Sequence, residues 1–160
     1  MKRIIAVLLL VATLASGNAI ATGGDGVTPR ARKIFEKEFP DASYAKWEKI
    51  NNTELYQVRF VYRDQALLSF IHEDGTVLGT ARNIQVNSLP FLANEMLNKK
   101  FAGYSILQVE ELTTASEVSY FVIIENEKVK LNLRVFNNGS YNELKRTKKK
   151  AEPELAAKPF

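Results

Sequence analysis

The chain has 160 residues, with 22 Lys and Arg against 18 Asp and Glu, one His and no Cys. The missing thiols exclude disulfide scaffolds, thiol chemistry and cysteine-based metal sites. The net charge of +4 is concentrated at the two ends and leaves a slightly acidic body, a balance unlike that of a nucleic-acid-binding domain.

Lys2 and Arg3 precede an apolar run, Ile4–Ala15, and Ala19-Ile20-Ala21 offers small residues at the two positions a signal peptidase reads. The run is short of the ~20 residues a membrane-spanning helix needs. Residues 1–21 are therefore expected to be a signal peptide cleaved after Ala21. That predicts a chain that is periplasmic or secreted and does not span the membrane. About 140 residues remain, enough for one compact domain. The Gly-rich stretch 22–27 predicts a flexible lead-in.

Thr28-Pro29 starts a helix, because Thr is a favoured cap and Pro is tolerated at the first helical position. Ala31, Ile34, Phe35 and Phe39 recur at helical spacing on one face, and Pro40 ends the helix. Tyr44–Ile50 predicts a strand in which Trp47 packs beneath the helix. Leu55–Tyr62 alternates, with Tyr56, Val58, Phe60 and Tyr62 on one face and Leu55, Gln57, Arg59 and Val61 on the other. Ala66–His72 runs back, Asp74-Gly75 marks a hairpin, and Thr76–Ile84 returns, with Gly79 suited to a bulge.

The scheme then restarts. Asn87-Ser88-Leu89-Pro90 opens a second helix whose buried face is marked by Leu92 or Ala93, Met96, Leu97 and Phe101. Strands follow at Tyr104–Leu112, Glu117–Ile124, Val129–Phe136 and Ser140–Lys145, with a second hairpin at Asn138-Gly139. Phe39 and Phe101 are 62 residues apart, as are Trp47 and Val109, while Gly75 and Gly139 are 64 apart. The pattern predicts an α+β fold of two tandem repeats, 28–86 and 87–145, each one helix packed on a four-stranded antiparallel sheet. Residues 146–160 predict a disordered basic tail.

A helix ending in Phe39-Pro40, a strand carrying Trp47, the run Tyr56-Gln57-Val58-Arg59-Phe60, the turns Asp74-Gly75 and Asn138-Gly139, and Leu89-Pro90 before the second helix form an ordered set. That set resembles the exported PepSY-like proteins of Bacteroidetes, grouped with the β-lactamase-inhibitor-protein-like fold. Where that family usually has an Asp two residues before the hairpin Asp and an aromatic after the Gly, this chain has His72 and Thr76. The resemblance implies a periplasmic or secreted, non-enzymatic protein.

The residues agree on the absence of catalysis. The single His72 flanks a turn, and Glu110-Glu111 are adjacent on a strand and so point to opposite faces. No nucleophile elbow, phosphate loop or metal-ligand spacing is present, so neither cofactor nor metal is expected. With one sheet face lacking a helix, Leu55, Gln57, Arg59, Val61, Phe121 and Ile123 become candidates for an exposed apolar surface that binds a protein partner in the envelope or outside the cell. An exported hydrolase that the protein inhibits is one such partner. The alternative is a carrier of small ligands or envelope polymers, with an apolar cleft between the repeats. Lys145, Arg146, Lys148, Lys149 and Lys150 are candidates for holding an anionic envelope surface.

Overall fold

The computed structural model describes residues 26–149; the expected signal peptide and the chain beyond Lys149 lie outside the described residues. Helix α1 (Pro29–Glu38) begins as its sequence dictates. The Thr28 hydroxyl accepts from the Ala31 amide at 3.2 Å and donates to the Glu73 carbonyl at 2.6 Å, so the cap also ties α1 to the first hairpin. Strands β1 (Ser43–Lys49), β2 (Leu55–Tyr62), β3 (Gln65–His72) and β4 (Val77–Asn83) follow. A 3₁₀ turn at Val86–Ser88 leads into α2 (Phe91–Lys100), whose last turn carries Lys99 and Lys100 where cations suit the helix dipole. Strands β5 (Ser105–Thr113), β6 (Val118–Glu125), β7 (Val129–Phe136) and β8 (Tyr141–Lys148) complete the chain.

The two sets of four strands are one antiparallel sheet, ordered β1 to β8 without crossover. The repeats join through β4 and β5, where Ala81 lies opposite Leu112 and Asn83 opposite Glu110. The sequence left open whether two sheets meet, because the pairing of β4 with β5 spans a helical connection that no local pattern reports.

Both helices lie on one face. Ala31 and Phe35 of α1 pack on Trp47, Tyr56, Val58, Phe60 and Ile71. Ala93 and Leu97 of α2 pack on Val109, Tyr120, Val122, Ile124 and Leu133. These cores are copies at the spacing the sequence announced: Ala31 and Ala93 are both fully buried, and Phe35 and Leu97 are both below 5% exposed. Between them on the same face the Arg82 Nε holds Glu111 Oε1 at 2.7 Å, a polar seam that separates the two cores.

Each hairpin glycine locks its repeat together. Gly75 (φ +92°) and Gly139 (φ +79°) occupy the left-handed region that favours glycine. The Gly75 N–H donates to the His72 carbonyl at 2.8 Å and that of Gly139 to Phe136 at 2.9 Å. Gly75 abuts Arg30 and Ile34 of α1; Gly139 abuts Leu92 of α2. The expected bulge near Gly79 is present, since Phe70 pairs with Gly79 while Ile71 pairs with Val77.

On β3, Leu67 and Ile71 lie with the α1 core, and Leu68 and Phe70 lie on the helix-free face. Of the two alternatives on α2, Ala93 takes the buried position and Leu92 is half-exposed. The basic tail does not start at Arg146: β8 runs to Lys148, with Arg146 opposite Leu131 and Lys148 opposite Val129. Lysines and arginines on an outermost strand discourage edge-to-edge pairing, which explains how a polar, charged segment can still be a strand.

Candidate functional site

The face without a helix carries its own apolar cluster. Leu68, Phe70, Ala81, Leu112 and Phe121 are buried there, and Ile50 and Leu144, from opposite ends of the chain, pack against them. Burial without a covering helix means that the twisted sheet curves around its own side chains. All six candidate residues lie on this face by strand register: Leu55 opposite His72, Gln57 opposite Phe70, Arg59 opposite Leu68, Val61 opposite Ala66, Phe121 opposite Arg134 and Ile123 opposite Asn132.

They do not form the exposed apolar patch expected of them. Phe121 and Ile123 are below 10% exposed, and Phe121 is capped by the Arg134 guanidinium, 5.9 Å above its ring. Arg134 is in turn held by Glu117 at 2.5 Å. Gln57 is also buried and donates its side-chain amide to Glu48. Leu55, Arg59 and Val61 remain partly accessible.

The accessible part of the face is a hollow of about 300 Å³. Val61, Ala66, Leu68 and Ala81 give it an apolar floor; Tyr44, Lys46 and Arg59 form one end, and Asn83 and Glu110 the other. Tyr44 is 83% exposed and sits at φ +56°, where the β1–β2 register slips. For a bulky residue that conformation is strained by roughly 1–2 kcal/mol. The bulge aims an aromatic ring at the hollow and blunts the sheet edge. Lys46, Asn83 and Glu110 were not legible as site residues. No sequence signal announces the bulge in β1 or pairs β4 with β5.

Glu110 and Glu111 do point to opposite faces, as adjacent strand residues must. Glu111 joins the Arg82 seam, while Glu110 is buried at 2% exposure on the helix-free face. Its Oε1 accepts from the Gln108 amide at 2.7 Å, and its Oε2 has no partner among the described residues. Beneath it a void of about 10 Å³ lies between Gln108, Phe121 and Asn132, room for about one water. Burial pushes the Glu110 carboxyl up to about 7, against a smaller downward pull from Gln108. A carboxyl raised in the folded state is destabilising once it must ionise. Stability from this group is intact below the unfolded value near 4.5 and declines as pH rises through 7. Glu110→Gln should therefore raise stability by about 2 kcal/mol at pH 8, roughly 6–8 °C in Tm, and by almost nothing at pH 4.5. Thermal unfolding of both proteins at the two pH values checks this; an equal shift at both would contradict it.

His72 takes the turn-flanking role. Its Nδ1 accepts from the Asp74 amide at 3.2 Å and its Nε2 lies 3.0 Å from Glu54 Oε2. Among the described residues no group of three His, Asp or Glu side chains is arranged to hold a metal. Of the basic candidates, Arg146 is clamped bidentately by Glu143 at 2.8 and 2.6 Å and Lys149 by Glu125 at 2.9 Å, so these two are already paired. Lys145 and Lys148 are exposed on β8, and Lys150 lies outside the described residues.

Solved structures share this architecture. A DUF2874 family protein from Bacteroides ovatus superposes with a TM-score of 0.67 at 15% identity, covering 78% of this chain and 89% of that one. A BLIP-like protein from Bacteroides fragilis matches with a TM-score of 0.65 at 18% identity, covering 79% and 89%. A Bacteroides eggerthii protein named for an expected periplasmic location matches at 0.66 and 11%, covering 76% and 88%. The chain thus has the BLIP-like fold found among Bacteroides proteins, the fold its motifs resembled. No protein-family model matches the chain, and no curated protein matches it by sequence.

Proposed function

We propose that this chain is an exported, non-enzymatic binding module that engages a protein partner through the helix-free face of its sheet. One observation carries this reading. Both helices cover the same face, and the opposite face keeps an open hollow ringed by Tyr44, Lys46 and Arg59. Tyr and Arg beside an apolar floor are the residue types that dominate protein-binding energetics. Export is supported by the leader-like residues 1–21 and by the likeness to a protein named for the periplasm. Inhibition of an exported hydrolase is the specific form of this reading that the name of the BLIP-like relative suggests.

A carrier with a cleft between the repeats is less well supported. The hollow is built mainly by the first repeat and reaches the second only at Glu110.

The test is affinity capture from the envelope fraction of the native host, with Thr22–Phe160 as bait. Three further baits separate the surfaces: Tyr44→Ala with Arg59→Glu on the helix-free face, Phe91→Ser on α2, and a chain ending at Lys149. A protein retained by the parent, the α2 variant and the shortened chain, and lost with the Tyr44/Arg59 variant, is the expected result. Retention by all four baits would place the interaction elsewhere.

A further inference from the structure

The hollow on the helix-free face has opposite charges at its two ends. Lys46 and Arg59 are cross-strand neighbours. Lys46 makes no ion pair among the described residues, and Arg59 reaches only Glu48, at 3.6 Å. From Arg59 the strands bring Leu68, Ala81 and Leu112 into one row, and Glu110 is the next same-face residue of β5. Three strand steps separate Arg59 from β5 and four separate Lys46, about 14 Å and about 19 Å between backbones. The side chains reach inward and shorten that span over an apolar floor.

Glu110 is the group that asks for a ligand. A buried carboxylate oxygen without a donor loses its hydration and gains nothing in return. The void beneath it holds at most about one water, so the larger space it borders is the hollow itself.

We propose that the hollow binds a short zwitterionic peptide, with its ammonium on Glu110 and its carboxylate between Lys46 and Arg59. The inference rests on the helix-free face being the binding face and specifies what its hollow holds. A plain cation would satisfy Glu110 but leave its uncompensated charge in a hollow already carrying Lys46 and Arg59. A plain anion would meet the reverse problem at Glu110. An extended peptide advances about 3.3–3.6 Å per residue, so two or three residues bridge the remaining gap. A volume of about 300 Å³ falls at the small end of ligand pockets and suits small side chains. The carboxylate must turn about its own side-chain torsions to present Oε2 to the ammonium.

The pH dependence has a defined sign. Around Glu110 stand Asn83 from β4, Gln108 from its own strand, Phe121 and Ile123 from β6, and Asn132 from β7, with Arg134 above Phe121. Lys46 and Arg59 line the hollow across from it, Arg59 with Glu48 at 3.6 Å, and Arg82 lines it from β4. An ammonium selects the ionised carboxylate, and burial sets the free group near 7. Affinity is therefore highest between about pH 7 and 8, falls about tenfold per unit well below 7, and falls again above 8 as the peptide ammonium, with an ordinary pKa near 8, loses its proton.

Titration calorimetry of Thr22–Phe160 with trialanine and alanyl-leucyl-alanine tests this, with N-acetylated and C-amidated forms of each. Acetylation and amidation should each weaken binding at least about tenfold at about pH 7.5. In Glu110→Gln the penalty for acetylation should vanish, and in Lys46→Ala with Arg59→Ala the penalty for amidation. Equal binding of free and blocked peptides, unchanged discrimination in Glu110→Gln, or no heat at about 5 mM peptide would each overturn the proposal. If the peptides fail while capture still depends on Tyr44 and Arg59, only this inference falls. If both fail, the binding-face reading falls with it.

Discussion

Replacing Phe35 with Ala is expected to remove about 3–5 kcal/mol of stability, a large share of the roughly 5–15 kcal/mol that holds a domain folded. Phe35 is the hub of the first core. Its ring lies 5.4 Å from Phe39, 5.1 Å from Trp47 and 4.9 Å from Phe60, the last two edge-on. Truncation empties the centre of this cluster and removes three aromatic contacts that add about 0.5–1.5 kcal/mol each beyond burial. Neighbours cannot collapse inward, because Trp47, Tyr56 and Val58 are fixed in strands. Trp47 is the only tryptophan, so its fluorescence during urea unfolding reads this core directly. A loss below about 1 kcal/mol would show that α1 does not anchor the sheet.

The second large effect is expected at Gly139. An added Cβ would sit 2.8 Å from the Leu92 carbonyl oxygen, at a backbone φ of +79°. Both the strained dihedral and the clash with a backbone atom oppose Gly139→Ala, and no flexible side chain is present to yield. The expected loss is about 2–4 kcal/mol. Gly75→Ala should be milder. Its contact under 3 Å is with Ile34 Cγ1, a side-chain atom that can shift, although the Arg30 carbonyl at 3.3 Å limits the movement. Thermal unfolding of both variants is the measurement. Equal small losses would mean that the hairpins are not pinned to the helices.

The duplicated architecture was readable because the residues that build it obey local rules. Thr28 caps, Phe39 and Phe101 end helices, Gly75 and Gly139 turn, and Trp47 and Val109 alternate inward. The spacing of 62 across the helices and 64 across the hairpins survives in contacts, since Arg30 faces Gly75 where Leu92 faces Gly139. The continuity of the sheet was not readable, because β4 meets β5 across a helix-containing connection. Nor was the end of β8, where alternation among lysines carries no burial signal.

The candidate face was only half legible. Alternation put Arg59, Val61, Phe121 and Ile123 on the helix-free side, and register agrees. Which of them stay accessible depends on how the sheet curves and where Arg134 lies, neither of which is a local property. Glu110 shows the limit most clearly. Its sequence position identifies a face, while its burial and missing partner arise from strands far away along the chain.

The central claim, that partners meet the helix-free face, is tested most directly by hydroxyl-radical labelling. Tyr44, beside the hollow, and Phe91, on α2, are 83% and 77% exposed and serve as paired reporters. Labelling of the mature chain, alone and with its captured partner, should fall strongly at Tyr44 and stay unchanged at Phe91. Protection of Phe91 with Tyr44 still labelled would contradict the account and move the binding surface to the helical side.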